Sequence, residues 1–99
     1  MNGPVGLALD LTNNELFVTN VIANSVTVYS RTASGNTAPL RTLSGAAAGL
    51  SSPRHLALDL TNDELFVANN VPFFSITVYS RTASGNTPPS GPSVARRRG

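Results

Sequence analysis

The chain has 99 residues, no cysteine and a formal net charge of +2. The lack of cysteine excludes a disulfide framework and a thiolate metal site, and no apolar run approaches the roughly 18 residues that span a bilayer. Three of the seven arginines stand together at residues 96–98, and the other four face five acidic residues. The body of the chain is therefore not basic, and we expect neither nucleic acid nor a membrane as a partner.

Almost the whole chain is one sequence written twice. Residues 7–18 read LALDLTNNELFV and residues 56–67 read LALDLTNDELFV, with eleven identities in twelve positions at an offset of 49. Residues 25–37 and 75–87 match at twelve of thirteen positions, at an offset of 50. A period of 20 to 50 residues is typical of repeat architectures, in which each unit buries its apolar surface against its neighbours. Two units therefore leave apolar surface uncovered.

Each repeat contains short runs rich in leucine, valine, phenylalanine and tyrosine, separated by Thr-Asn-Asn, Thr-Asn-Asp and Gly-Asn turns. Such runs predict β-strands. No window of helical length carries an apolar stripe, so we predict an all-β chain. In chain order the predicted strands are residues 7–11, 16–19, 26–29, 40–43, 56–60, 65–68 and 76–79.

Three or four antiparallel strands every 49 or 50 residues suit the four-stranded blade of a β-propeller. Leu16, Phe17 and Val18 are consecutive apolar residues, which indicates a sheet covered on both faces. The predicted units are a first blade over residues 1–50, a second blade with an altered outer strand over residues 51–89, and a basic tail over residues 90–99.

The residues also carry a family resemblance. The run GLALDLTNNELFVTN followed by NSVTVYS resembles the repeat of NHL-type propellers, and LFVTN and LFVAN are similar to the motif of the YVTN propellers. The likeness covers about residues 3 to 87 and implies the propeller fold without implying an activity. The aspartate usual at the end of the second strand is replaced by Asn20 in the first repeat and by Asn69 or Asn70 in the second. That departure weakens any transfer of charge-dependent binding.

The tail does not continue the repeat. After Thr37 the first repeat reads APLRTLSGAAAG, whereas after Thr87 the second reads PPSGPSVARRRG. When PLRTLSGAAAG is written in GC-rich codons and read one nucleotide later, it gives PSGPSVARRRG. We infer a one-base slip in the gene, the alternative being an unrelated linker. In either case Val94 can pair at the sheet edge as a makeshift outer strand, or the tail can remain outside the sheet.

Most acidic side chains have a structural interpretation. Asp10 and Asp59 end the first strand of each repeat, where a carboxylate accepts hydrogen bonds from the following turn. A catalytic role is the alternative, but a unique active site needs only one copy of its residues. Glu15 and Glu64 are interpreted in the same way, as solvated turn charges.

The positions at which the repeats differ are the best candidates for ligand contacts. When the repeats are aligned at an offset of 49, Arg54 and His55 correspond to Val5 and Gly6. We expect them at the rim of a central channel. Aromatic side chains beside polar groups are typical of ligand sites. The alternative is that these are variable loop residues whose aromatic side chains pack on the next blade. The predicted ligand-binding residues are Arg54, His55, Asn69, Asn70, Phe73 and Phe74.

Two blades cannot close a propeller, so we expect the chain to associate with itself. Three chains give the favoured six-bladed ring, and four give eight blades. We expect a non-enzymatic scaffold or binding module, with a small molecule, a glycan or a protein at the ring face, and we predict no cofactor and no metal. The alternatives are a propeller hydrolase or lyase, and a fragment of a longer repeat protein. A ring of three His55 imidazoles that holds an ion is a further, weaker hypothesis.

Overall fold

The computed structural model describes residues 3–45, 48–70, 74–90 and 94–96, which contain no α-helix. The predicted all-β class is confirmed. In the described ranges the strands are β1 (Pro4–Asp10), β2 (Glu15–Asn20), β3 (Ser25–Ser30), β4 (Arg41–Leu43), β5 (Pro53–Asp59), β6 (Glu64–Asn69), β7 (Phe74–Ser80) and β8 (Val94–Arg96).

The strands form two antiparallel sheets, one for each repeat. The first sheet has the order β1-β2-β3-β4 and the second has the order β5-β6-β7-β8. Their registers are the same: Phe17 stands opposite Ala8 and Val28 in the first sheet, and Phe66 stands opposite Ala57 and Val78 in the second. The two repeats therefore fold into equivalent meanders of sequential strands.

The hairpins at the first turn of each repeat rest on an aspartate. In the first repeat Asn13 donates its backbone N–H to Asp10 Oδ1 at 3.0 Å and its side-chain amide to Oδ2 at 2.8 Å. In the second repeat Asn62 donates in the same way to Asp59, at 3.2 and 2.8 Å. The turns end on residues with positive φ, which asparagine and aspartate tolerate better than most residues. Both carboxylates are thus engaged in holding their turns.

The two sheets pack face to face in a head-to-tail order. We call the face of each sheet that carries Phe17 or Phe66 its front face, and the face that carries Tyr29 or Tyr79 its back face. The hydrophobic core joins front-face residues of the first sheet to back-face residues of the second. Its fully or nearly buried members are Phe17, Val26, Val28, Leu43, Ala48, Leu50, Leu65, Val67 and Tyr79.

The outer strand of the second sheet differs in sequence from the outer strand of the first. Val94 stands opposite Ile76, as Leu43 stands opposite Val26 in the first repeat. The strand β8 thus occupies the edge that β4 occupies in the first sheet, although its sequence is unrelated. Residues 91–93 and 97–99 lie outside the described part of the chain, so the interpretation of the whole tail stays a prediction.

Candidate functional site

The interface between the sheets shows what a junction between two of these repeats requires. Phe17 is fully buried on the front face of the first sheet, and Tyr79 is fully buried on the back face of the second. At one edge, Thr19 Oγ1 lies 3.3 Å from both Gly6 O and Arg54 O and donates across the interface to β5. A Cβ at Gly6 would overlap Arg54 O. Only glycine therefore lets β1 approach β5 this closely.

At the opposite edge, the junction contains an ion-pair network. Arg41 binds both oxygens of Glu15, at 2.8 and 2.9 Å. Arg81, from the second repeat, reaches Glu15 at 3.5 Å and the fully buried Asp10 at 3.8 Å. Arg81 also binds Asp63 within its own repeat at 3.1 Å. Glu15 is therefore a junction residue, and its predicted role as a solvated turn charge is replaced by a contact to two arginines.

Burial alone would raise the pKa of the Asp10 carboxyl. Hydrogen bonds from Asn13 and the nearby Arg81 guanidinium outweigh this effect and hold that pKa below its ordinary value. In Asp59 the hydrogen bonds from Asn62 lower the pKa of the carboxyl as well. Both aspartates therefore remain ionised at neutral pH, and neither has the raised pKa expected of a general acid.

The segment that leads from β4 towards β5 completes the junction. We call it the connecting segment; its described residues are 42–45 and 48. Ser44 N–H donates to Gly85 O at 2.9 Å, and Gly85 N–H donates to Thr42 O at 2.6 Å. Further along the segment, Tyr79 Oη donates to Ala48 O at 2.5 Å. Burial raises the pKa of this tyrosine. The segment thus crosses the back face of the second sheet and fastens it to the first.

The remaining two faces of the sheets are partly open and expose apolar side chains. On the back face of the first sheet, Leu7 is 68% exposed and Leu9 is 51% exposed. Their counterparts Leu56 and Leu58 pack against the core. On the front face of the second sheet Ile76 is 40% exposed, whereas its counterpart Val26 is fully buried. Each open face is therefore a copy of a face that is covered inside the same molecule.

The open front face carries part of the predicted ligand site. A shallow cavity of about 190 Å³ there is lined by His55, Leu56, Ala57, Phe66, Ala68 and Ile76. His55 is exposed at its edge, and the preceding residue, Arg54, is exposed as well. Because five of the six lining residues are apolar, this surface is suited to covering by another apolar face.

The predicted asparagines lie elsewhere. Asn69 is buried, donates to Thr77 Oγ1 at 3.0 Å and accepts from Ser51 N–H at 3.0 Å. The backbone N–H of Asn70 donates to Ser51 O at 3.2 Å and to Ser52 O at 3.3 Å. Phe73 lies outside the described residues, and of Phe74 the structure describes only the backbone, at the start of β7. Of the predicted ligand residues, His55 therefore lines the cavity, Arg54 is the exposed residue before it, and Asn69 lies in an internal hydrogen-bond network.

Asn20 is the counterpart of Asn69 in the first repeat. Asn20 is fully buried and donates to Thr27 Oγ1 at 3.0 Å. Its Oδ1 has no hydrogen-bond partner in the described part of the chain. The residue equivalent to Ser51 is residue 2, which lies outside the described ranges.

Sequence reasoning missed Arg41, Arg81 and Tyr79. Arg81 and Tyr79 contact the first repeat, and Arg41 binds Glu15 two strands away in its own sheet, so no local pattern could reveal these contacts. For Tyr79 and Arg81 the available signal was the repetition itself, because both recur in the other copy as Tyr29 and Arg31.

Within the described ranges, no group of three or more histidine, cysteine, aspartate or glutamate residues is placed to hold a metal. The same ranges contain no helix of the length and apolarity that crossing a membrane requires. No family model matches the chain, and no curated protein matches it either.

Proposed function

We propose that the chain is a pair of β-propeller blades of the NHL or YVTN type that assembles with copies of itself into a closed ring and acts as a non-enzymatic scaffold or binding module. The single observation that carries the proposal is the equivalence of the faces. The open front face repeats the face that is buried at the internal junction, and the open back face repeats the face buried against it.

Head-to-tail contacts of this kind are heterologous, and they close into a ring when the rotation at each junction allows it. Three chains give six blades, and four chains give eight. We favour the trimer.

The expected energy is large enough for stable association. A standard patch of about 800 Å² per partner that is somewhat over half apolar contributes on the order of 10 kcal/mol before association costs. The total stability of a small domain is of the same size. The single chain is therefore expected to be only marginally stable.

The charges support the same pairing. On the open faces, Arg31 is the counterpart of Arg81, and Asp59 and Glu64 are the counterparts of Asp10 and Glu15. Arg31 is exposed and is held by Asn14 Oδ1 at 3.1 Å, as Arg81 is held by Asp63. Between two chains, Arg31 of one is thus placed to meet the acids of the next.

One position requires the junction between chains to differ from the internal one. His55 is the counterpart of Gly6, where a Cβ would overlap the backbone of the facing strand. The chains must therefore stand further apart at this edge. His55 and Arg54 then line a gap at the ring's inner rim, which is where we place the candidate ligand contacts.

A fragment of a longer repeat protein is the second candidate, favoured by β8, whose sequence departs from that of β4. The test is the solution mass measured by light scattering across a dilution series. The ring predicts a species of about 31 kDa, three times the 10.3 kDa of the chain. A single species of 10.3 kDa at all concentrations would reject self-assembly and favour the fragment.

A further inference from the structure

The back face of the first sheet contains a groove that the proposed ring does not explain. It has a volume of about 240 Å³ and lies between β2, β3 and the turn that follows β3. We call it the back groove. Its lining residues are Leu16, Val18, Tyr29 and Ser30, with residues 33–37.

All nine lining residues have identical counterparts in the second repeat, where the equivalent space is filled. There the described residues of the connecting segment, 42–45 and 48, lie against Tyr79 and the turn at Gly85. Leu43 forms a parallel bridge with Gly85 and is 1% exposed. The backbone of the segment contributes the two hydrogen bonds to Gly85 and accepts the one from Tyr79. The second repeat thus shows which occupant this set of residues accepts.

The occupied copy also shows a sequence requirement. Gly45 has a φ of 111°, and a Cβ there would overlap the Asn86 side chain. Since Asn36 holds the equivalent place in the back groove, an occupant of the same shape also needs glycine at this position. The leucine two residues earlier supplies the apolar side chain. The pattern required is therefore Leu-Ser-Gly.

The second repeat cannot supply this pattern to a neighbouring chain. Val94 holds the register position of Leu43, so Arg96 holds the position of Gly45, two residues further on. Arginine carries a Cβ, which the occupied copy excludes at this point. A ring built from this chain therefore leaves the back groove without its matching segment.

We propose that the back groove is a docking site for an extended Thr-Leu-Ser-Gly segment, followed by alanines, from a further copy of the repeat. The segment bonds to the N–H and C=O of Gly35 through its own backbone, and its alanine carbonyl accepts from Tyr29 Oη. This inference rests on the same equivalence of repeats as the proposed function, but it does not require a ring.

The test uses two peptides from the chain itself. One has the sequence of residues 39–48, PLRTLSGAAA, and the control has that of residues 89–98, PSGPSVARRR. Both are titrated, with blocked termini and in high salt, into isotope-labelled protein while the amide signals are followed by NMR. The first peptide is expected to shift the Gly35 amide in a saturable way and to leave the Gly85 amide unchanged.

Three variants sharpen the result. Tyr29→Phe in the protein removes one hydrogen bond and should weaken binding by about 2- to 10-fold, whereas Tyr79→Phe should lower stability and leave the affinity unchanged. In the peptide, Gly45→Ala should weaken binding at least about 10-fold, an amount that corresponds to 1.4 kcal/mol. The titration is repeated on the Phe66→Ala variant, which is expected to be a monomer, so that assembly does not cover the back groove. Phe66 itself lies on the front face of the second sheet, away from the groove.

Two results would overturn the proposal: no shift of the Gly35 amide at millimolar peptide in the Phe66→Ala protein, or equal binding of the two peptides. The solution mass separates this outcome from failure of the ring. If the chain forms a trimer that does not bind the peptide, the proposed function stands and the docking site is rejected. If the chain is a 10.3 kDa monomer that binds the peptide, the docking site stands and self-assembly is rejected.

Discussion

The two copies of the repeat have nearly the same sequence and the same strand register, yet several equivalent side chains differ in their surroundings. Phe17 is fully buried, whereas Phe66 is partly exposed. Tyr79 is fully buried beneath the connecting segment, whereas Tyr29, although only 9% exposed, borders the back groove. The burial of an equivalent side chain in this molecule therefore depends on which neighbour its repeat has. Matched substitutions at equivalent positions can therefore separate folding from assembly.

The largest difference is expected for the two front-face phenylalanines. Phe17→Ala leaves a cavity in the core and should lower the free energy of unfolding by about 3–5 kcal/mol. Phe66→Ala should change the stability of the dilute single chain by less than about 1 kcal/mol, and it should reduce the solution mass to that of the monomer. Urea unfolding and light scattering measure the two effects. Equal losses of stability in both variants would contradict the head-to-tail account.

The arginines give the next largest contrast. Arg81→Glu places a carboxylate beside the buried Asp10 and should cost about 3 kcal/mol of stability. Arg31→Glu changes an exposed residue and should alter the stability of the single chain by about 0.5 kcal/mol or less, but it should abolish assembly.

A second change in the same chain tests the pairing of Arg31. Glu64→Arg combined with Arg31→Glu should restore the mass of the assembled species, because the charges across the junction are again opposite. If the double variant remains a monomer, as the Arg31→Glu variant is expected to be, Arg31 does not meet Glu64.

His55 offers a variant that should strengthen the proposed junction between chains. His55→Gly removes the Cβ that the internal junction excludes at Gly6, and it should shift the dissociation midpoint to lower protein concentration. The cost is about 0.5–1 kcal/mol of strand stability. His55→Ala is the matched control and should give no gain, since alanine keeps the Cβ. An equal gain from both variants would show that only the imidazole obstructs the junction.

The smallest expected effect is the dependence of stability on pH. The folded pKa values of Asp10 and Asp59 lie below their unfolded value, which is about 3.9. Their contribution to stability is therefore complete above that value and is lost as the pH falls through the folded pKa. Asp10→Asn should flatten this acid-induced loss more than Asp59→Asn because, of these two aspartates, only Asp10 lies beside Arg81 within the chain. Thermal unfolding between pH 2 and 6 measures it.

The sequence was sufficient to predict the strands, the antiparallel hairpins and the turn roles of Asp10 and Asp59, because local composition determines these features. It did not predict that β1 begins at Pro4, because the register shift between Pro4 and Gly6 interrupts the regular pattern of the strand; the same shift recurs in β5 between Pro53 and His55. It also did not reveal the hydrogen bonds of Asn69, whose amide is engaged by Thr77 and Ser51; its assignment to a ligand site stays a prediction. Contacts between repeats, such as the one from Arg81 to Glu15, required the structure because their partners are distant in sequence.

Covalent crosslinking tests the head-to-tail equivalence of the faces most directly, because the chain has no cysteine of its own. Thr19 and Arg54 are in contact across the internal junction, so Thr19→Cys with Arg54→Cys is the intrachain control. The equivalent pair between chains is Ala68→Cys with Val5→Cys. With a short bismaleimide, the control should run as a single chain on a denaturing gel, and the second variant should give products that end at three chains. Crosslinked single chains alone from the second variant would contradict the account.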